Sequence, residues 1–139
     1  MAQVDGRTGI EIIDRDEALE LLARDQVGRL AVSEGGAPLI VPVNYALDGS
    51  DLIFRTAPGT KLDAVHHATR AAFEIDEFDS ATRSGWSVVV RGRLEEITRT
   101  DTERWDRVRA LPDPWAEGER EHVLALVPSS VTGRRLRPR

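Results

Sequence analysis

Between Gly28 and Thr56 the apolar residues recur with a period of two, and this alternation limits the fold more than any other feature of the chain. Leu30 and Val32 fall on one face. After a turn at Glu34, Gly35 and Gly36, the residues Leu39, Val41, Val43 and Tyr45 alternate with Ile40, Pro42 and Asn44. A second turn at Asp48, Gly49 and Ser50 leads into a third strand over 52–56. Strands this short, joined by turns of a few residues, pair antiparallel, because a parallel pair needs a crossover of a dozen residues or more.

Helical signals flank this meander. In 14–25, Asp14 is placed to cap a helix, Glu17 follows three residues later, and Ala18, Leu21 and Leu22 share a face that should pack on the sheet. Residues 57–68 return to helical spacing, with Leu62, Val65 and Ala68 along one side. Alternation resumes at Ala71, Phe73 and Ile75. A long strand follows over 85–97, in which Gly92 is the expected place for a bulge. Thr100 and Glu103 read as a capping box for a helix carrying Trp105 and Val108, and two short strands are expected over 122–127 and 131–136. The fold class is therefore mainly β with helices (α+β), an antiparallel barrel rather than an alternating βαβ sheet. A single domain over 1–139 is expected, with a flexible lead over 1–10 and a flexible tail over 137–139. A barrel this small has little interior room, so a sizeable ligand belongs on its surface or at a seam between two copies.

Composition removes whole classes of chemistry. The 139 residues include no cysteine, which excludes disulfides, thiolate nucleophiles and cysteine-ligated metals. A net charge of -5 argues against nucleic acid or an anionic membrane as partner, and the arginines of the GRRLRPR ending read as a solvated tail. No apolar stretch suits a signal peptide or a membrane span, so a cytoplasmic protein is expected. His66 and His67 are adjacent and point apart, so no metal site is expected. The carboxylates of Glu74, Asp76, Glu77 and Asp79 read as solvent-facing, and Trp86, Trp105 and Trp115 as core or interface anchors. No serine, histidine and aspartate set singles out a hydrolase, and no catalytic side chain is identified.

The segment FRTAPGTKL, residues 54–62, gathers phosphate-binding groups where a strand gives way to a helix. Arg55 and Lys61 bring charge, Thr56 and Thr60 bring hydroxyls, and a helix start offers unpaired N–H groups. Such a set can hold a phosphate monoester.

With GRLAV at 28–32, PLIVPVNYAL at 38–47, AFEIDEFD at 72–79 and GWSVVVRGRLEEI at 85–97, that segment resembles the pyridoxamine 5'-phosphate oxidase-like FMN-binding split-barrel family. The likeness runs from about residue 14 to 136 and is nearest to the small actinobacterial and nitroimidazole-resistance-like branch. It implies a six-stranded Greek-key split barrel working as a homodimer, with FMN in the seam and oxidoreductase chemistry carried by the flavin. Arg55, Thr56, Thr60 and Lys61 would hold the phosphate. Pro42, Val43 and Asn44 would run along the ring, and Trp86 and Ser87 would reach the flavin from the partner subunit. The ending is a poor match to the substrate-binding elements of vitamin B6 oxidases, so that reaction is not expected. The wider superfamily also takes deazaflavin coenzyme or haem, and a carrier that binds one of these without turnover is the alternative.

Overall fold

In a computed structural model, residues 3–5, 7–56, 65, 67–112 and 122–138 are described. The strands are β1 (Gln3–Val4), β2 (Glu11–Ile13), β3 (Val27–Glu34), β4 (Ala37–Asn44), β5 (Ala46–Asp48), β6 (Asp51–Thr56), β7 (Arg70–Asp79), β8 (Ser84–Ile97) and β9 (His122–Leu136). Two helices are described, α1 (Arg15–Arg24) and α2 (Thr102–Val108). The expected helix over 57–68 lies, except for the buried Val65 and for His67 and Ala68, outside the described residues, as do Thr60, Lys61, His66 and Trp115.

All pairings are antiparallel, and the six long strands run in the order β4, β3, β7, β8, β9, β6. β4 and β6 stand at the two ends of this order and approach each other without pairing. The sheet therefore curls into a barrel that stays open along one seam, a split barrel. β1 and β2 extend it beyond the C-terminal half of β9, and β5 pairs only with β6.

The alternation seen in the sequence sorts the side chains as expected. Leu30, Val32, Val41, Val43, Leu52, Phe54, Phe73, Ile75, Val88, Val90, Leu124 and Leu126 fill the interior. α1 closes one side of it with Ala18, Leu21 and Leu22, and Asp14 caps the helix by accepting from the Glu17 N–H. The Tyr45 hydroxyl donates to the Leu22 carbonyl at 2.6 Å, and its ring meets Phe73 edge-on at 4.8 Å. Gly28 is set by packing: any Cβ there would run into the Phe73 ring.

Three local expectations are corrected. Asp101, not Thr100, caps α2, its carboxylate accepting from Arg104 N–H, while the Thr100 hydroxyl bonds Thr98 at 2.7 Å. The two strands expected at the C-terminus are one, β9, which keeps pairing with β8 throughout. The irregularity is at Gly92 as expected, but the extra residue is Ser129 of β9, between Pro128 and Ser130. It switches the inward parity of β9 from Leu124 and Leu126 to Val131, and that switch made one strand read as two. The GRRLRPR ending is also not simply solvated, since Arg135 and Arg137 both reach the buried Glu11.

Candidate functional site

The two lips of the open seam, β4 and β6, carry most of the expected ligand contacts. On β6 the interior face holds Leu52, Phe54 and Thr56, while Ile53 and Arg55 point outward beneath α2. Arg55 and Thr56 thus leave the strand on opposite sides. Arg55 donates through Nη2 to the Arg109 carbonyl at the end of α2, and its Nε is buried without a partner. Thr56 is fully buried, and its Oγ1 has no hydrogen-bond partner. On β4, Pro42 is exposed on the outer face, Val43 is buried inside, and Asn44 sits at the strand end. The Asn44 Nδ2 donates to the Gln26 carbonyl at 2.9 Å, while its Oδ1 is buried and unpartnered. Asn44 also lines a cavity with Asp25, Gln26, Leu47 and Pro112.

Buried polar atoms almost always find partners, because an unmade hydrogen bond costs about 1–3 kcal/mol. Three such atoms lie on the two strands that border the seam, Thr56 Oγ1 toward the interior, Arg55 Nε on the α2 side and Asn44 Oδ1 at the end of β4.

Trp86 and Ser87 lie on β8, opposite Glu77 and Asp76 of β7. The Trp86 ring packs against the interior cluster and borders a surface pocket with Phe78, Arg135 and Leu136. Ser87 faces outward, in one band with Pro42 across β7 and β3. Sequence reasoning missed what joins that band. Arg29 donates to Glu74 at 2.6 and 3.0 Å and to Asp76 at 2.9 Å, so the acidic run is partly neutralised rather than merely solvated. The Glu74 hydrogen bond, foremost, raises the Arg29 pKa, whereas desolvation above all raises that of Glu74. Opposite charges at outward positions of neighbouring strands were the available signal. Beside this band lies an apolar strip of Ala31, Ile40, Ala72 and Val89, in which Ile40 is 66% exposed.

A second ionic cluster fixes α2 over the far end of the sheet. Arg104 donates to Glu95 at 2.7 Å and to Asp51 at 3.3 Å, and Arg107 holds Asp48 through two bonds of 2.7 and 2.9 Å. Nearby, His122 Nδ1 and the Glu96 carboxylate lie 2.7 Å apart. Among the described residues no helix is long and apolar enough to cross a membrane.

Comparison with known proteins gives the class to which this open-seamed six-strand barrel belongs. Residues 14–135 match the pyridoxamine 5'-phosphate oxidase family. This chain belongs to that family. An uncharacterized protein of Mycobacterium tuberculosis is 37% identical over 129 residues, covering 89% of this chain and 84% of that protein. Among solved structures, an FAD-binding protein from Mycobacterium smegmatis is 28% identical with a TM-score of 0.66, covering 92% of this chain and 99% of that one. An FAD-binding protein from Mesorhizobium loti is also 28% identical, with a TM-score of 0.70 and the same coverage.

Proposed function

We propose that the chain is a flavin-dependent oxidoreductase that binds FMN, or the FMN half of a larger flavin, along the open seam of a homodimer. The observation that carries this reading is the pair of orphans on facing lips, Thr56 Oγ1 on β6 and Asn44 Oδ1 on β4. Their chemistry fits a flavin: a hydroxyl at a strand end can donate to a phosphate oxygen, and an amide carbonyl can accept from a ring N–H. Family membership and the FAD-binding relatives support the same ligand class.

The bound flavin would supply the hydride or electron chemistry. The chain's own part is binding and orientation. Thr56, with Thr60 and Lys61, would hold the phosphate, and Pro42, Val43 and Asn44 would border the ring. Arg55 contributes charge from the outer side of β6 while bracing α2. The apolar strip around Ile40 is the face on which a second copy would sit, bringing Trp86 and Ser87 of one subunit toward the seam of the other. Vitamin B6 oxidation is not part of the proposal, because Arg135 and Arg137 are engaged by Glu11 and Glu17.

Fluorescence titration of the purified protein with FMN and riboflavin tests this. Tighter binding of FMN, with bleaching of the bound flavin by an anaerobic reductant substrate, is expected. Equal affinity for the two would remove the phosphate site, and absence of binding would remove the flavin assignment.

A further inference from the structure

We infer that a cavity on the outer face, between Arg70 and Arg91, is a second ligand subsite for an organic phosphate. The cavity is about 660 Å³ and lies beneath the β3–β4 turn, within the size range of small-molecule sites. Its floor is made of small residues, Ala31, Ala71, Ala72 and Gly92, and Val32 and Pro38 add apolar wall. This leaves room for a flat body. The polar groups on its rim are cationic or neutral: the two arginines with Ser33, Ser129 and Ser130.

The two guanidinium groups are the unusual part. Arg70 lies opposite Arg93 and Arg91 opposite Ala72, so Arg70 and Arg91 are diagonal neighbours on the same face of adjacent strands, about 7–8 Å apart at the backbone. Arg29, Arg93, Arg135 and Arg137 have carboxylate partners, and although Arg55 and Arg134 lack one among the described residues, neither pairs with another such arginine on a neighbouring strand in the way Arg70 and Arg91 do. Arg70 and Arg91 have none among the described residues, although the chain carries 24 acidic against 19 basic residues. Two unneutralised cations side by side repel, and an anion bridging them removes that penalty. A phosphate or diphosphate matches two forked donors set this far apart, and the flat apolar floor suits an attached aromatic or sugar body.

Successive antiparallel pairings from β6 through β9 and β8 to β7 put the end of β6, at Thr56, and the start of β7, at Arg70, toward the same end of the barrel. β6 and β7 are nevertheless three strands apart in either direction around the barrel, and Thr56 faces inward while Arg70 and Arg91 face outward, so the two phosphates of one diphosphate cannot reach both and the ligand is a separate phosphorylated molecule.

Calorimetric titration with ADP, run first on flavin-free protein, tests the subsite independently of the flavin reading. ADP should bind, and Arg70→Gln and Arg91→Gln should each weaken it about tenfold, the loss of one charge-assisted hydrogen bond, with FMN affinity and melting temperature unchanged. Competition between ADP and FAD would place ADP in the flavin seam and overturn the inference of a separate subsite. Simultaneous binding of ADP and FAD assigns it to a separate ligand. Failure of the unmodified protein to bind ADP overturns the inference. So does an unchanged ADP affinity in the doubly substituted protein, or dissociation of subunits in the arginine variants without loss of ADP, which would make the arginines interface residues. Loss of FMN binding with ADP binding intact would instead count against the seam site alone.

Discussion

Arg137 grips Glu11 with both arms of its guanidinium, Nε donating to Oε2 at 2.6 Å and Nη2 to Oε1 at 3.1 Å, and so ties the end of the chain to β2. Arg135 approaches the same carboxylate at 3.6 Å and also bonds Glu17 on α1. The bidentate contact is the strong form of an ion pair, and the Glu11 side chain is only 7% exposed.

The Arg137 hydrogen bond, foremost, holds the Glu11 carboxyl below its ordinary value of 4.5, and Arg107 does the same for Asp48. A carboxylate with a depressed folded-state pKa stabilises the fold above its ordinary range, and that contribution is lost as the pH falls through the depressed value. We expect Glu11→Gln to lower the melting temperature at neutral pH and to flatten its acid limb, so that the gap between variant and parent narrows as the pH falls through and below the ordinary carboxylate range. Thermal melts between pH 3 and 7 check this. A constant offset at every pH would mean that the carboxylate charge contributes nothing.

Gly28→Ala should destabilise the protein by about 1–3 kcal/mol, the usual cost of overpacking a core. The added Cβ meets the ring of Phe73, which is itself held against Tyr45. Denaturant unfolding gives the number. Gly28→Ala combined with Phe73→Leu should recover part of the loss if the ring contact is its cause.

How much of this could be read in the sequence depended on whether a signal was local. Leu30, Val41 and Phe73 were set on alternating faces of their strands by period two, and the turns at 34–36 and 48–50 were marked by their glycines. The cap of α2 was misplaced by one residue, because Thr100 and Asp101 are both competent caps and only the backbone path decides between them. The parity switch at Ser129 erased the alternation on which recognition of a single long strand depends. At the candidate site, the residue types of Arg55, Thr56 and Asn44 were visible, but the opposite directions of Arg55 and Thr56 and their unpartnered atoms were not. The partnership of Arg29 with Glu74 and Asp76, 45 and 47 residues away, depends on a strand order that no local pattern contains.

If the apolar strip carries the contact of the proposed dimer, a charge in it should separate the two copies. Ile40 is exposed between Ala31, Ala72 and Val89, on a face with no other cover among the described residues, and an aspartate there would have to be desolvated in a dimer. We expect Ile40→Asp to remain folded and to sediment as a monomer, with the dimer weakened by several kcal/mol, whereas Ile12→Asp, at another exposed position on β2, should leave association unchanged. Sedimentation velocity over a concentration series distinguishes them. Equal behaviour of the two variants would place the subunit contact elsewhere.

Thr56→Val separates a binding role from a structural one. The Thr56 hydroxyl is buried with no partner, so in the free protein it contributes its desolvation cost and no hydrogen bond. Replacing it with a methyl group of similar size removes that cost, and the variant should be as stable as its parent or more stable by up to about 1 kcal/mol. If the hydroxyl donates to a flavin phosphate, the same substitution should weaken FMN binding by about 1–3 kcal/mol, the range for hydrogen bonds to charged groups. Riboflavin, which has no phosphate, should bind both forms alike. The two readouts thus move in opposite directions only if Thr56 is kept for a ligand. Chemical denaturation without flavin, together with parallel titrations of FMN and riboflavin, makes the comparison. A loss of stability with unchanged FMN affinity would show instead that the hydroxyl serves the fold, and the seam would lose its phosphate anchor on β6.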